Sequence, residues 1–479
     1  MQVQAGASLK KEQPYDLKKI IFGVLGLALM GYMWFLMPDI KGLELAGRKT
    51  MAVFALMICW WTGEVLSPVI VSLLGATLFT VLGIATITVA FSGFSNSTEI
   101  FLIFAFMLAA AVNKTGLGKR IAATLISKSN PSYKTVLFLV MFSGLVLAAI
   151  VPSGNARIVL LGTIALSLLN IFNQSPDKMS NIGRGFFVLL GVTSMITCDP
   201  FVTGGASSVL LVGLLAKSGI TISYVDWFLN LFPPCFIVLT ALWYITYKAF
   251  PPEVERLDQE SYLKLKEKLA SEVGQISTAE IKVAFITLFI VVFWMLGSYF
   301  NINATNVCMA GVILMYLPGI GVLKAKDIKE LPWETLIFIA CCLSLGQVIS
   351  NSKLDLFLAE VISTFFVSES IFFLAFKLCI TAMLIHFVIA DALPIFAIFI
   401  PIVITTMQSI GVNPLVGVMF FQLGTTAYIM LYQQAQAITV SGFGQFEQRD
   451  FMKVSAFTYV LWLAMIPLMI FWWSFRGLI

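Results

Sequence analysis

The sequence predicts an all-α polytopic membrane protein, and three observations support this prediction. Of its 479 residues, 59% are hydrophobic and only 11% are charged, whereas a soluble domain is about a quarter charged. Apolar runs long enough to cross a bilayer recur along the chain, and two longer apolar stretches carry polar, helix-breaking centres. Because so few charged residues cannot cover a water-soluble surface, this composition excludes a soluble enzyme, a disordered chain and a nucleic-acid binder. The net charge of +5 is spread over loops and does not indicate a polyanionic partner.

The apolar runs predict about eleven transmembrane helices, since about 20 apolar residues cross the bilayer core. The first run follows Lys18-Lys19 and ends at Met37-Pro38 without the small-residue pattern of a cleaved signal peptide. The predicted spans lie near residues 20–37, 50–65, 67–89, 99–118, 184–216, 226–250, 281–300, 303–322, 333–350, 411–440 and 455–475.

Two further stretches, about 135–172 and 370–409, are too long for one span. The first is interrupted by Pro152 to Arg157 and the second by His386 to Pro394. Each is either two full spans or a re-entrant hairpin whose tip lies at membrane depth. Non-helical backbone at that depth must face protein or a wet cavity rather than lipid.

Loop charges predict the orientation in the cell (inner) membrane. Lys10, Lys11, Lys18 and Lys19 precede the first helix, which favours a cytoplasmic N-terminus. Counting spans outward from there places most basic loops inside and the C-terminus outside, whether the two long stretches are hairpins or paired spans. Arg48-Lys49 is the exception.

A charged segment at 251–280 divides the chain into two halves. We predict an N-terminal tail with an extra helix over 1–49, a first repeat over 50–250, a cytoplasmic linker over 251–280 and a second repeat over 281–479. The two halves share a spacing along the sequence, because Leu117 precedes Ser153 by 36 residues and Leu354 precedes Ala390 by 36 residues. Five spans per half make the repeats inverted, which is typical of secondary transporters with a site between the halves.

Several motifs then resemble a known family. They are Trp60-Trp61-Thr62-Gly63-Glu64, the segment Phe101 to Ala122, the first tip Ser153-Gly154-Asn155-Ala156-Arg157, and the second tip from His386 to Ile395. The sequence resembles the divalent anion/sodium symporter (DASS) family, and its exchanger-like branch of di- and tricarboxylate carriers in particular. The resemblance implies the ion transporter superfamily fold, elevator-type alternating access, a homodimer in the lipid bilayer and no cofactor.

The resemblance also implies the polar residues of a substrate site. Tips and broken helices expose N–H groups and positive dipole ends that hold a carboxylate. Alternatively, serines and threonines in membrane helices bond their own backbone or join helices. The candidates are Ser153, Gly154 and Asn155 at the first tip, Thr203, Ser207 and Ser208 on the broken fifth helix, and Gln433, Gln434, Gln436 and Thr439 on the tenth.

Four ionisable residues at membrane depth are further candidates, because such groups are costly there and usually functional. Arg157 is expected to bind a substrate carboxylate or to occupy a sodium position; the alternative is an ion pair with Asp199 or Asp391. His386 and Asp391 could bind substrate, carry a proton or pair with each other. Asp199 and Asp391 are also possible coupling-ion residues. If all four line one cavity its charge is near zero, so either an aspartate is neutralised or the substrate is a monoanion or zwitterion.

These observations predict a secondary transporter of small organic anions rather than an enzyme. Exchange of one di- or tricarboxylate for another is favoured over sodium coupling, because the family's Ser-Asn-Thr tips are missing here. The alternative is a sodium- or proton-coupled carboxylate symporter. An intramembrane enzyme is remote because His386 is the only histidine, and an anion channel fits broken helices less well than a carrier does.

Overall fold

The computed structural model describes residues 17–128, 130–300, 302–366 and 370–479. The predicted cytoplasmic tail with Lys10 and Lys11 lies outside these residues. Within the described ranges the chain forms twenty-one α-helices, and strand-like pairing is confined to a single bridge between Ser132 and Arg256. The predicted all-helical class is therefore confirmed.

The first half holds eleven helices. α1 continues as a π-helical turn over Tyr32–Leu36. The bounds are α1 Leu17–Gly31, α2 Leu45–Thr62, α3 Pro68–Val81, α4 Ile87–Ala90, α5 Ser97–Thr115, α6 Leu117–Ser127, α7 Tyr133–Ala148, α8 Gly154–Ile171, α9 Asn181–Thr193, α10 Ala206–Lys217 and α11 Tyr224–Ala249.

The remainder of the chain begins with the linker helix and repeats the order of α5 to α11. The bounds are α12 Gln259–Val273, α13 Thr278–Phe300, α14 Ala304–Leu314, α15 Trp333–Asn351, α16 Leu354–Phe366, α17 Ile371–Val388, α18 Ala392–Ser409, α19 Pro414–Thr425, α20 Ala435–Ser441 and α21 Gln448–Phe475. Each half begins with a long helix and a shorter one, α5 and α6 in the first and α15 and α16 in the second. A pair separated by a short break follows (α7 and α8; α17 and α18), and then a pair separated by a long break (α9 and α10; α19 and α20). A long helix, α11 or α21, closes each half.

Local sequence explains where these helices begin and end. The side chains of Asn96, Ser180 and Ser223 accept hydrogen bonds from the first turns of α5, α9 and α11, as N-capping residues do. Gly116, with φ of 79°, ends α5 in the left-handed conformation that glycine favours. That turn lets α6 begin at once in a new direction.

Nine helices among the described residues are long and apolar enough to cross a membrane, and six more are apolar but shorter. Two predicted spans are shorter than expected, because α3 ends at Val81 and α14 ends at Leu314. The predicted total of about eleven spans therefore stays a prediction. Large apolar side chains point outward on the π-helical turn after α1, on α13 and on α21. Phe35, Phe285 and Phe475 are 81%, 73% and 77% exposed, as expected of a surface that faces lipid.

The two halves meet at their broken helices. The Tyr428 hydroxyl, between α19 and α20, donates to the Gly191 carbonyl of α9 at 2.6 Å and lies 2.9 Å from the Ser194 hydroxyl. All of these groups are buried. The breaks of both halves are thus fixed against each other in the interior, where the candidate site lies.

Candidate functional site

Four interruptions of helical structure converge in the core. The two short breaks, 149–153 and 389–391, are the tips between α7 and α8 and between α17 and α18. The two long breaks, 194–205 and 426–434, separate α9 from α10 and α19 from α20. Ser153 caps α8 by accepting from the Ala156 N–H at 3.3 Å, and Asp391 caps α18 by accepting from the Leu393 N–H at 3.2 Å.

A cavity of about 200 Å³ lies among all four breaks. Seven predicted site residues line it: Ser153, Gly154, Asn155, Ser207, Asp391, Gln434 and Gln436. Two larger cavities, about 760 Å³ beside α16 and about 430 Å³ beside Tyr224 and Trp294, touch neither tip. A third, of about 220 Å³, touches the second tip at Asp391 but not the first. We therefore take the smaller cavity, which unites the tips, as the candidate site.

The electrostatics of this cavity come from backbone rather than from side-chain cations. The first residues of α8, α10, α18 and α20, namely Gly154, Ala206, Ala392 and Ala435, all line it. A helix N-terminus carries about half a positive charge and unpaired N–H groups. Among the described residues that line the cavity, Asp391 bears the one formal charge.

Arg157 lies next to this cavity but its side chain turns away from it. The guanidinium, 3% exposed, donates to the carbonyls of Val151 and of Gly204, the latter at 2.7 Å, and to the Cys198 sulfur at 2.6 Å. Gly204 packs so closely on the Cys198 backbone that a side chain there would collide with it. Arg157 therefore clamps the first tip to the first long break, and the alternative considered from the sequence, an ion pair with Asp199 or Asp391, is not formed.

Thr203 reinforces this clamp. Its hydroxyl donates to the Ala149 carbonyl of the first tip at 2.9 Å and lies 2.7 Å from the Tyr224 hydroxyl. Ser208 is fully buried, and its hydroxyl has no partner among the described residues. Neither side chain lines the cavity.

Gln433 makes the corresponding clamp in the second half. Its side-chain amide donates to the His386 carbonyl, and its own carbonyl accepts from the Asp391 N–H, both at 3.0 Å. The His386 Nε2 lies 3.0 Å from that same Gln433 carbonyl. Through these contacts both side chains hold the second tip to the second long break. His386 and Gln433 are fully buried, and neither lines the cavity.

Asp199 is also buried away from the cavity, with 1% exposure. Its Oδ1 accepts from the Gln422 side-chain amide at 2.9 Å, and its carbonyl accepts from the Trp227 indole N–H at 2.8 Å. Gln422 lies on α19 and was not singled out from the sequence. A lone glutamine in an apolar helix gives no signal of its partner.

Asp391 has an unusual backbone. Its φ of 74° and ψ of 138° fall in a region that is essentially restricted to glycine and costs a side chain about 1–3 kcal/mol. Such strain persists where the surroundings fix the residue, often at binding sites. Here the Gln433 carbonyl fixes the N–H of Asp391, and the carboxylate is held at the cavity wall.

The first tip also contacts the second half directly. The Thr439 hydroxyl donates to the Asn155 side-chain oxygen at 3.3 Å. Four other lining residues had no sequence signal, because they are ordinary apolar or hydroxyl residues brought in by packing: Phe106, Met195, Pro332 and Thr335.

The clamp makes a testable prediction about Arg157. In Arg157→Lys a single ammonium replaces a planar fork and cannot reach three separated acceptors at once. We expect unpaired buried acceptors to cost about 2–3 kcal/mol, seen as a clearly lower melting temperature in detergent. Arg184→Lys is the matched control, because the ion pair of Arg184 with Asp450 at 3.0 Å is partly exposed. Equal melting temperatures of Arg157→Lys and wild type would contradict the clamp.

Comparisons with known proteins agree with this architecture. A putative malate transporter YflS of Bacillus subtilis is 26% identical over 351 residues, 72% of each chain. An L-tartrate/succinate antiporter of Escherichia coli is 28% identical over 345 residues, 66% of this chain and 69% of that one. A Cupriavidus necator membrane protein is 25% identical over 455 residues, 90% of this chain and 88% of its own.

Among solved structures, the Alcanivorax borkumensis YdaH transporter matches with a TM-score of 0.55 and 13% identity, covering 96% of this chain and 99% of that chain. That likeness supports the fold alone. The family model described as the sodium:sulfate symporter transmembrane region matches residues 17–479. The predicted family is thereby confirmed: the chain belongs to the sodium:sulfate symporter (DASS) family of membrane transporters.

Proposed function

We propose that this protein is a secondary active transporter that exchanges small di- or tricarboxylates across the membrane. One observation carries the proposal: four helix N-termini open into one cavity that has no side-chain cation among its described lining residues. Such a cavity suits an anion that is bound by backbone N–H groups. The malate and tartrate/succinate names of two relatives support a carboxylate as that anion.

The polar side chains at the cavity suit a carboxylate that also carries hydroxyls. Gln434 Nε2 and Gln436 Oε1 are buried without a hydrogen-bond partner among the described residues, so a donor and an acceptor stand available. Ser153, Ser207 and Asn155 add hydroxyl and amide groups. A site of about 200 Å³ is smaller than the roughly 300–1,000 Å³ of drug-sized ligand pockets, which fits a small organic acid.

For transport we propose that the two hairpins and the two broken helices move as one body, in an elevator-type step. The clamps made by Arg157 and Gln433 support this, because each joins a tip to the long break of the same half. The repeated helix order in α5–α11 and α15–α21 supports two inverted repeats over 50–250 and 281–479, joined by the 251–280 linker. We also propose a homodimer, which the mass of the purified protein–detergent complex would test against a monomer.

Counterflow in proteoliposomes tests exchange directly. Vesicles preloaded with succinate or malate are expected to take up labelled succinate far faster than empty vesicles, with no dependence on a sodium gradient. Protein-free vesicles provide the control. Uptake that requires sodium and ignores internal substrate would instead establish the coupled symporter.

Asp391→Asn separates exchange from a cation-coupled mechanism. Asparagine can still cap α18, but it removes the negative charge at the cavity. If that charge only opposes the anion, KM for succinate is expected to fall by about three- to tenfold with exchange retained. Asp258→Asn is the matched control, since Asp258 caps α12 in the linker by accepting from the Ser261 N–H at 2.7 Å. Loss of exchange in Asp391→Asn alone would assign Asp391 to a coupling cation or proton.

We further propose that the N-terminus and the 251–280 linker lie in the cytoplasm and that the C-terminus lies outside. The polar linker helix α12 packs beside α6, where Arg120 forms a partly buried ion pair with Glu280 and donates to the Val273 carbonyl at 3.1 Å. On a background without the seven native cysteines, all of them free, a cysteine at Lys264 is expected to resist impermeant maleimide in intact cells. A cysteine at Ile479 is expected to react. The reverse pattern would invert the topology.

A further inference from the structure

The pair formed by Asp199 and Gln422 contains an imbalance of hydrogen-bond donors. Gln422 Nε2 donates to Asp199 Oδ1 at 2.9 Å. The two remaining oxygens, Asp199 Oδ2 and Gln422 Oε1, are both buried and both lack a partner among the described residues. Each is an acceptor, so two directly bonded side chains hold two unsatisfied acceptors and no donor for either.

Among the described residues no cation forms an ion pair or a hydrogen bond with the Asp199 carboxyl, whose Oδ1 accepts from Gln422. The nearby titratable groups are the thiols of Cys198 and Cys235, on its own segment and on α11, and the Tyr428 phenol after α19. Arg157 is the nearby cation, and it is bonded to Val151, Gly204 and Cys198 instead. An unpaired carboxylate in such an interior is strongly disfavoured and is normally neutralised.

One proton resolves both deficits. A carboxylic acid and a primary amide can form a cyclic pair with two hydrogen bonds: the amide N–H donates to the acid carbonyl, and the acid O–H donates to the amide carbonyl. The first of these bonds is present. The two unsatisfied oxygens are the atoms that the second bond would join.

We propose that Asp199 and Gln422 form a buried proton-binding site, in which Asp199 Oδ2 carries a proton and donates it in a hydrogen bond to Gln422 Oε1. The proton comes from water when the segment is accessible and returns to water on release, so the carboxylate gains or loses one positive charge. This site is distinct from the carboxylate cavity, because neither Asp199 nor Gln422 lines it.

The site joins the two halves of the chain. Asp199 lies on the long break of the first half, one residue after Cys198, which lines the cavity and receives the Arg157 hydrogen bond. Gln422 lies in α19 of the second half. Loss of the proton would leave acceptor facing acceptor across this contact and would loosen the break that carries the Arg157 clamp.

Infrared spectroscopy of the purified full-length protein tests the proton itself. With ¹³C-labelled aspartate at about pH 7, where free aspartates near pKa 3.9 are ionised, we expect a ¹³C-shifted carboxylic acid C=O band. The intensity that Asp199 contributes is expected to be lost in Asp199→Asn, to persist in the exposed-site control Asp177→Asn and to change frequency in Gln422→Leu. Any intensity from Asp355, a second buried aspartate with an unpartnered oxygen, is expected to be the same in all of these proteins. The ¹³C label excludes Glu99, another buried acid with an unpartnered oxygen. Absence of a band that depends on Asp199 in the wild type would overturn the proposal.

Thermal stability gives an independent readout. Asparagine at position 199 can form both hydrogen bonds with Gln422 without a proton. A group that is protonated in the folded state loses its stabilising contribution as pH rises. Between about pH 5 and pH 9 the wild-type melting temperature is therefore expected to fall relative to that of Asp199→Asn, with Asp177→Asn following the wild type.

Two outcomes of the melting experiment would overturn the proposal. One is parallel pH curves for wild type and Asp199→Asn. The other is stabilisation by sodium at constant ionic strength in wild type but not in Asp199→Asn, which would place a cation at the site. If Asp199→Asn does not fold, the labelled wild type and Gln422→Leu decide the question. None of these readouts requires transport, so they are separate from the test of carboxylate exchange.

Discussion

Unwound backbone inside a membrane protein must find its hydrogen-bond partners within the protein, and the core of this molecule is organised around that constraint. Four breaks meet in the interior, and they satisfy one another. Arg157 donates to carbonyls of the first tip and of the first long break. Gln433 exchanges hydrogen bonds with His386 and Asp391 in the second half. These contacts fix the two tips, which carry Ser153 and Asp391 at the cavity wall.

This arrangement leaves the candidate site without a cationic side chain among its described lining residues. The guanidinium of Arg157 donates to Val151, Gly204 and Cys198 and joins the first tip to the first long break. The positive potential that remains comes from the ends of α8, α10, α18 and α20. A site built from backbone dipoles neutralises an anion without holding it by a strong ion pair, which suits a carrier that must release its substrate on both sides.

The sequence predicted the breaks better than the directions of the side chains. Pro152 to Arg157 and His386 to Pro394 interrupt apolar runs, so both tips were visible as polar residues where a helix should continue. Ser153, Asn155, Gln434 and Gln436 were found for the same reason, and they line the cavity. Arg157 and His386 were also found, but which way a side chain turns depends on packing between segments that are distant in sequence. Gln422 carried no signal, since its importance comes from Asp199 in the other half.

The central claim is that an organic anion binds between the two tips, held by helix N-termini and amide side chains. A cryo-electron microscopy structure of the protein in nanodiscs with saturating succinate tests this claim most directly. The account predicts ligand density between Ser153–Asn155 and Gln434–Gln436, with a carboxylate at the start of α8 and Arg157 still bonded to Gly204. Density in another cavity, or a guanidinium of Arg157 turned onto the ligand, would contradict it.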